Sequence, residues 1–145
     1  MPANTAPIFT LIPDIQWGSA DGNGGTAGPL KTANTAMDGT GTVLTVFTAG
    51  ANGSYVSQLN IRPAGTNIVT VLRVFINNGS TNATVANNVL FAEVVIPATT
   101  AVANSALQGI IAPLNFALPA GYKINVTLGT TIAAGVCVSV LGGDY

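Results

Sequence analysis

The chain has 145 residues, of which 48% are hydrophobic and only 6% charged, where an average soluble domain has about a quarter of its residues charged. That length suits one domain with a real core rather than two. Four basic against five acidic residues, net charge −1, with Lys31, Arg62, Arg73 and Lys123 scattered singly, exclude the clustered Lys and Arg of a nucleic-acid-binding surface.

A surface built from Thr, Asn, Ser, Gly and Ala does little to repel a neighbour, so the composition points to faces that lie against other subunits. Residues 1–29 differ from the rest and are expected to form an N-terminal arm and Gly-rich linker. The apolar stretch Ile8-Phe9-Thr10-Leu11-Ile12 is followed by Trp17 and then by a Gly-rich run closed by Pro29. A run of that kind cannot pack and reads as an irregular connection. Disordered tails are poor in aliphatic residues and Trp, so Ile8, Phe9, Leu11, Ile12 and Trp17 are expected to contact a partner or a neighbouring subunit. Residues 1–16 have neither a basic leader nor a continuous apolar run, so a cytosolic origin without a secretory signal is expected.

From about residue 42 the chain settles into runs of strand length with a period of two, separated by Gly, Asn and Pro clusters. Residues 43–48 make a short strand. Tyr55, Ser57, Leu59 and Ile61 then alternate with Val56, Gln58, Asn60 and Arg62. Two runs, 68–77 and 89–96, are apolar on both faces, as expected for strands that are central or covered by a neighbouring subunit. One charge breaks each: Arg73 among Val69, Val71 and Phe75, and Glu93 among Val89, Phe91 and Val95. A lone buried charge is costly and a paired one tolerable, which suggests that Arg73 and Glu93 form a cross-strand ion pair. The competing reading places both in solvent at a sheet rim, where a pair contributes only about 0–1 kcal/mol.

Residues 99–108 are short and Ala-rich and read as loop or a single turn. Ile110, Ala112, Leu114, Phe116 and Leu118 share one side of the next strand. Pro113 lies opposite and cannot donate to a ladder, so this strand is expected at an edge or with a bulge. Tyr122, Ile124, Val126 and Leu128 alternate with Lys123, Asn125 and Thr127, and Val136, Val138 and Val140 with Cys137, Ser139 and Leu141. Asn52-Gly53, Asn78-Gly79 and Pro119-Ala120-Gly121 supply turns. Residues 30–145 are therefore expected to form an all-β domain of seven or eight strands, an antiparallel two-sheet β-sandwich, jelly-roll-like or immunoglobulin-like.

Chemistry is sparse. With no histidine the usual general base and commonest metal ligand are missing. Cys137 reads as a buried inert thiol. Asp14, Asp21, Asp38, Glu93 and Asp144 are widely separated in sequence. Asp21-Gly22-Asn23-Gly24-Gly25 superficially resembles a calcium loop but lacks its ligand ladder and closing Glu. No catalytic residue, cofactor or metal is expected, and no apolar run approaches the roughly 20 residues of a membrane span.

The stretch Thr32-Ala33-Asn34-Thr35-Ala36-Met37-Asp38-Gly39-Thr40-Gly41-Thr42, leading into Val43-Leu44-Thr45-Val46-Phe47-Thr48-Ala49-Gly50-Ala51-Asn52-Gly53, resembles the opening of small virion proteins of tailed bacteriophages. Leu118-Pro119-Ala120-Gly121-Tyr122 before a strand resembles the same group, and within it the capsid decoration, or cement, proteins. The resemblance covers residues 31–145 and has no counterpart for the Gly-rich arm. It implies a β-sandwich that associates with itself, often as a homotrimer, and binds the major capsid protein on the outer surface of the virion head. Alternatives are a tail or fibre component, and a carbohydrate-binding or adhesive module. The last calls for an aromatic platform, for which Trp17 in the arm and Tyr55, Tyr122 and Tyr145 are the only large candidates with a polar edge.

Overall fold

The computed structural model describes residues 10, 12–17 and 28–145, which form eight strands: β1 (Ile12–Trp17), β2 (Leu44–Thr48), β3 (Ser54–Pro63), β4 (Thr70–Asn77), β5 (Asn88–Ile96), β6 (Ile110–Leu118), β7 (Lys123–Leu128) and β8 (Val136–Asp144). The one helical element among the described residues is a 3-10 turn, Val85–Asn87. A front sheet has the order β1-β8-β3-β6 and a back sheet the order β2-β7-β4-β5. All six pairings are antiparallel, and four of them are nested: β1 with β8, β2 with β7, β3 with β6 and β4 with β5. That nesting is the order of a long hairpin rolled into two sheets, so of the two expected topologies the chain adopts the jelly roll.

The apolar faces of β7 and β8 lie where their alternation sends them, and Asn125 and Thr127 on the other face of β7 are buried too. Val136, Val138 and Val140 of β8 and Ile124, Val126 and Leu128 of β7 are almost wholly buried between the sheets, against Leu59 and Ile61 of β3 and Leu72 and Val74 of β4. Burying one such side chain contributes about 1.5–3 kcal/mol. β6 is an edge strand with exposed Ile111, Pro113, Asn115 and Ala117 on its outer face, as Pro113 demands.

Three local expectations are corrected. Tyr55 and Ser57 do not share the face of Leu59 and Ile61, because a bulge between Val56 and Gln58 shifts the phase and turns Val56 into the core. A second bulge, between the pairs Val74/Ala92 and Phe75/Leu90, leaves Phe91 without a partner on β4. Phe91 instead stacks on Phe116 across the sandwich edge, ring centroids 4.9 Å apart and tilted by 57°. Cys137 is exposed rather than buried, since the strict alternation of β8 turns it to the solvent side while its valine neighbours face inward.

The six residues of β1, expected in the arm, form an edge strand of the front sheet along β8, from Ile12 opposite Asp144 to Trp17 opposite Ser139. Ile8, Phe9 and Leu11 lie outside the described residues.

The two runs that are apolar on both faces have different outcomes. β4 is central, and its outward Phe75 is completely buried although it is not part of the core between the sheets. It is covered by the chain's own segment around Gly39. A side-chain carbon on Gly39 (φ 81) would stand 3.0 Å from the Phe75 ring and 2.7 Å from Asn88 Cβ, so only glycine fits. The Asn34 amide donates to the Thr40 and Thr42 carbonyls, both at 2.8 Å, and the Asn82 amide to the Gly41 carbonyl at 2.8 Å. β5, by contrast, is the back sheet's edge, and its Val89, Leu90, Phe91 and Val95 stay exposed while Ile96 is in the core.

Candidate interaction surfaces

The antiparallel register builds the outer face of the front sheet as a grid. One rung crosses all four strands: Trp17 lies opposite Ser139, Ser139 opposite Asn60, and Asn60 opposite Ile111. The rung above it runs Ile15, Leu141, Gln58, Pro113. Below it Cys137 lies opposite Arg62. Trp17 is 47% exposed. Gln58 and Asn60 are joined by a hydrogen bond from the Gln58 amide to Asn60 Oδ1 at 2.9 Å. The Arg62 side chain lies over Gly109, where an added Cβ would be 3.0 Å from its Cδ and 3.1 Å from its Nε.

Two hollows open on this face. One, of about 290 Å³, is bounded by Trp17, Arg62, Cys137 and Ser139 on this face and by Gly28, Pro29, Leu44 and Val138 beyond it; the other, of about 420 Å³, by Gln58, Asn60, Arg62, Gly109 and Ile111 with Ser139. Arg62 and Ser139 wall both. The alternation of β3 already puts Gln58, Asn60 and Arg62 on one side. That Trp17 joins them depends on the pairing of two strands more than 120 positions apart in the chain, which no local pattern carries.

The back sheet offers a different surface. On β5, Val89, Leu90, Phe91 and Val95 are between 41% and 64% exposed, and among the described residues no strand pairs with its outer edge. The other sandwich edges are blunted. Gln16 of β1 hydrogen-bonds to Thr48 of β2, and β6 carries Pro113 and the positive-φ residue Asn115 (φ 54), which disrupt the regular ladder that a second chain would use.

Arg73 and Glu93 stand directly opposite each other on β4 and β5, with Nε 2.9 Å from Oε1. The pair lies on the outer face of the back sheet, where the Arg73 side chain is 14% and that of Glu93 47% exposed. Of the arm residues within the described set, Ile12 and Trp17 are both exposed on β1, next to Ile15 at 54%.

The acids of the described residues each have a partner of their own. Asp14 accepts from the Gln16 amide, Asp144 from the Ser54 hydroxyl, and Asp38 from both the hydroxyl and the N–H of Thr40. The Thr40 hydroxyl bond, then the Thr40 backbone bond, hold Asp38 below the usual carboxylate range. Among the described residues no group of three His, Cys, Asp or Glu could hold a metal, and no helix is long and apolar enough to cross a membrane. Comparison with protein-family models, curated proteins and solved structures gave no match.

Proposed function

We propose that this chain is a structural virion protein, a decoration or cement protein that binds the outer surface of an assembled bacteriophage head and stabilises it as a homotrimer, with the major capsid protein as its partner. The observation that carries this reading is the β5 edge: a nine-residue strand with four large apolar side chains exposed and no strand along its outer side among the described residues. An open apolar edge is an aggregation hazard that monomeric proteins suppress. Here it belongs to a chain with too few charges to repel a neighbour, so the edge is suited to being covered on assembly.

The jelly roll supports the same reading, being an architecture of viral capsid domains, though lectins share it. Apolar area removed from water is worth roughly 25 cal/mol per Å² before the cost of association. A modest contact repeated over a shell therefore accumulates. No sequence motif or side-chain cluster of the described residues supports an enzymatic role.

The test is addition of the purified protein to preformed empty heads that lack it. Saturable uptake onto heads with a raised melting temperature supports the reading. Labelled protein found on tails instead assigns the chain to the tail, and protein that stays free as a monomer in the presence of heads overturns it.

A further inference from the structure

We infer that the outer face of the front sheet is a second site, a shallow trough that takes a saccharide carrying a carboxylate. Trp17, Ser139, Asn60 and Ile111 form one rung, which at the usual spacing of strands spans about 14 Å between its ends. The flanking hollows meet at Arg62 and Ser139. The centre of the trough is a hydroxyl, two amides and a guanidinium, and one end is a half-exposed indole.

That combination fits a ring with one face of C–H groups and a rim of hydroxyls. The indole supplies an apolar plane with the negative face of its π-system outward, and the central side chains supply convergent donors and acceptors. A protein partner is the poorer fit. Its docking would favour a continuous apolar centre with a polar rim, whereas here Ser139, Asn60, Gln58 and Arg62 lie on the two central strands, interrupted by Leu141 beside Gln58, and Trp17 and Ile111 stand at the ends. An added strand would need an open backbone edge, which this face lacks.

The charge of the ligand follows from Arg62. Glu93 is taken by Arg73, Asp14 bonds to Gln16, Asp38 to Thr40 and Asp144 to Ser54. Among the described residues no acid pairs with Arg62. Its guanidinium, exposed and laid over Gly109, is a fork of donors shaped for a carboxylate.

Trp17 is the single tryptophan, so its emission reports on this site alone. The probe is an array of uronate- and sialate-terminated oligosaccharides printed beside their neutral counterparts, followed by fluorescence titration of the full chain with the acidic oligosaccharide retained best. The expected result is a saturable change in Trp17 emission, with the neutral counterpart at least ten-fold weaker. Arg62→Ala should weaken binding ten-fold or more and Arg62→Lys less, with unchanged melting temperatures. Calorimetry on Trp17→Ala should show binding lost. Equal retention of acidic and neutral glycans, no retention of either, or unchanged binding by Arg62→Ala would overturn the inference. So would variants that lose only their uptake onto phage heads, which would assign the trough to the shell.

Discussion

The side-chain amide of Gln16 forms two hydrogen bonds with the backbone of Thr48: the Thr48 N–H donates to Oε1 at 2.8 Å and Nε2 donates to the Thr48 carbonyl at 3.0 Å. It thereby imitates a peptide group and ties the edge of the front sheet to the edge of the back sheet. Gln16→Ala removes both bonds, and a hydrogen bond contributes about 0.5–1.5 kcal/mol. The variant should unfold about 1–2 kcal/mol more easily. Amide exchange should accelerate first in Ile12–Trp17, and a uniform acceleration across all strands would contradict this placement.

Arg73 and Glu93 are in register and in contact, but the pair sits on a solvent-facing surface. Exposed pairs contribute about 0–1 kcal/mol. A double-mutant cycle with Arg73→Ala and Glu93→Ala should therefore give a coupling below about 1 kcal/mol, shrinking as salt is added. A large, salt-insensitive coupling would mean that the pair is covered in the free protein.

Phe75 is sealed by the chain's own segment around Gly39. Phe75→Ala should cost about 3–5 kcal/mol, the usual range for a buried Phe. Gly39→Ala should also destabilise, because positive φ and the approach of Asn88 both oppose a side chain there. Denaturant unfolding measures both, and a Gly39→Ala variant as stable as the parent would remove this segment's role as a lid over the sheet.

The Asp38 carboxylate is held below its ordinary range by Thr40. A depressed folded value stabilises the native state at pH above the unfolded carboxylate value, near 4, and that contribution is lost as the pH falls through the native value. Thr40→Ala should move the Asp38 titration upward, toward the ordinary value. Carboxyl carbon shifts followed by NMR would detect it, and an unmoved titration would show that the loop is not held this way.

Much of the sandwich is legible in the residues themselves. The valines of β8, the alternation of β7 and Pro113 on β6 each specify a face or a position from neighbours two residues apart. The same reading fails where one residue is added: the bulges at Ser57 and Phe91 reverse the phase with no local signal. β1 is hidden because Pro13 and Asp14 interrupt its pattern and its pairing partner lies at the other end of the chain. Apolar residues on both faces of β4 and β5 read alike in sequence, yet one strand is sealed by the Gly39 segment and the other left open. The trough of the front sheet is half legible, since Gln58, Asn60 and Arg62 share a face by alternation, and half the product of strand order.

The central claim is that the open side of β5 is covered on assembly, and hydrogen exchange in the strand itself tests it most directly. Exchange of the Asn88–Ile96 amides should be compared between the dilute isolated chain and the chain bound to phage heads. The expected result is strong protection confined to β5 and its surroundings on binding, abolished together with binding in Leu90→Lys/Val95→Lys. Head-bound protein whose β5 amides exchange as fast as those of the free chain would contradict the claim.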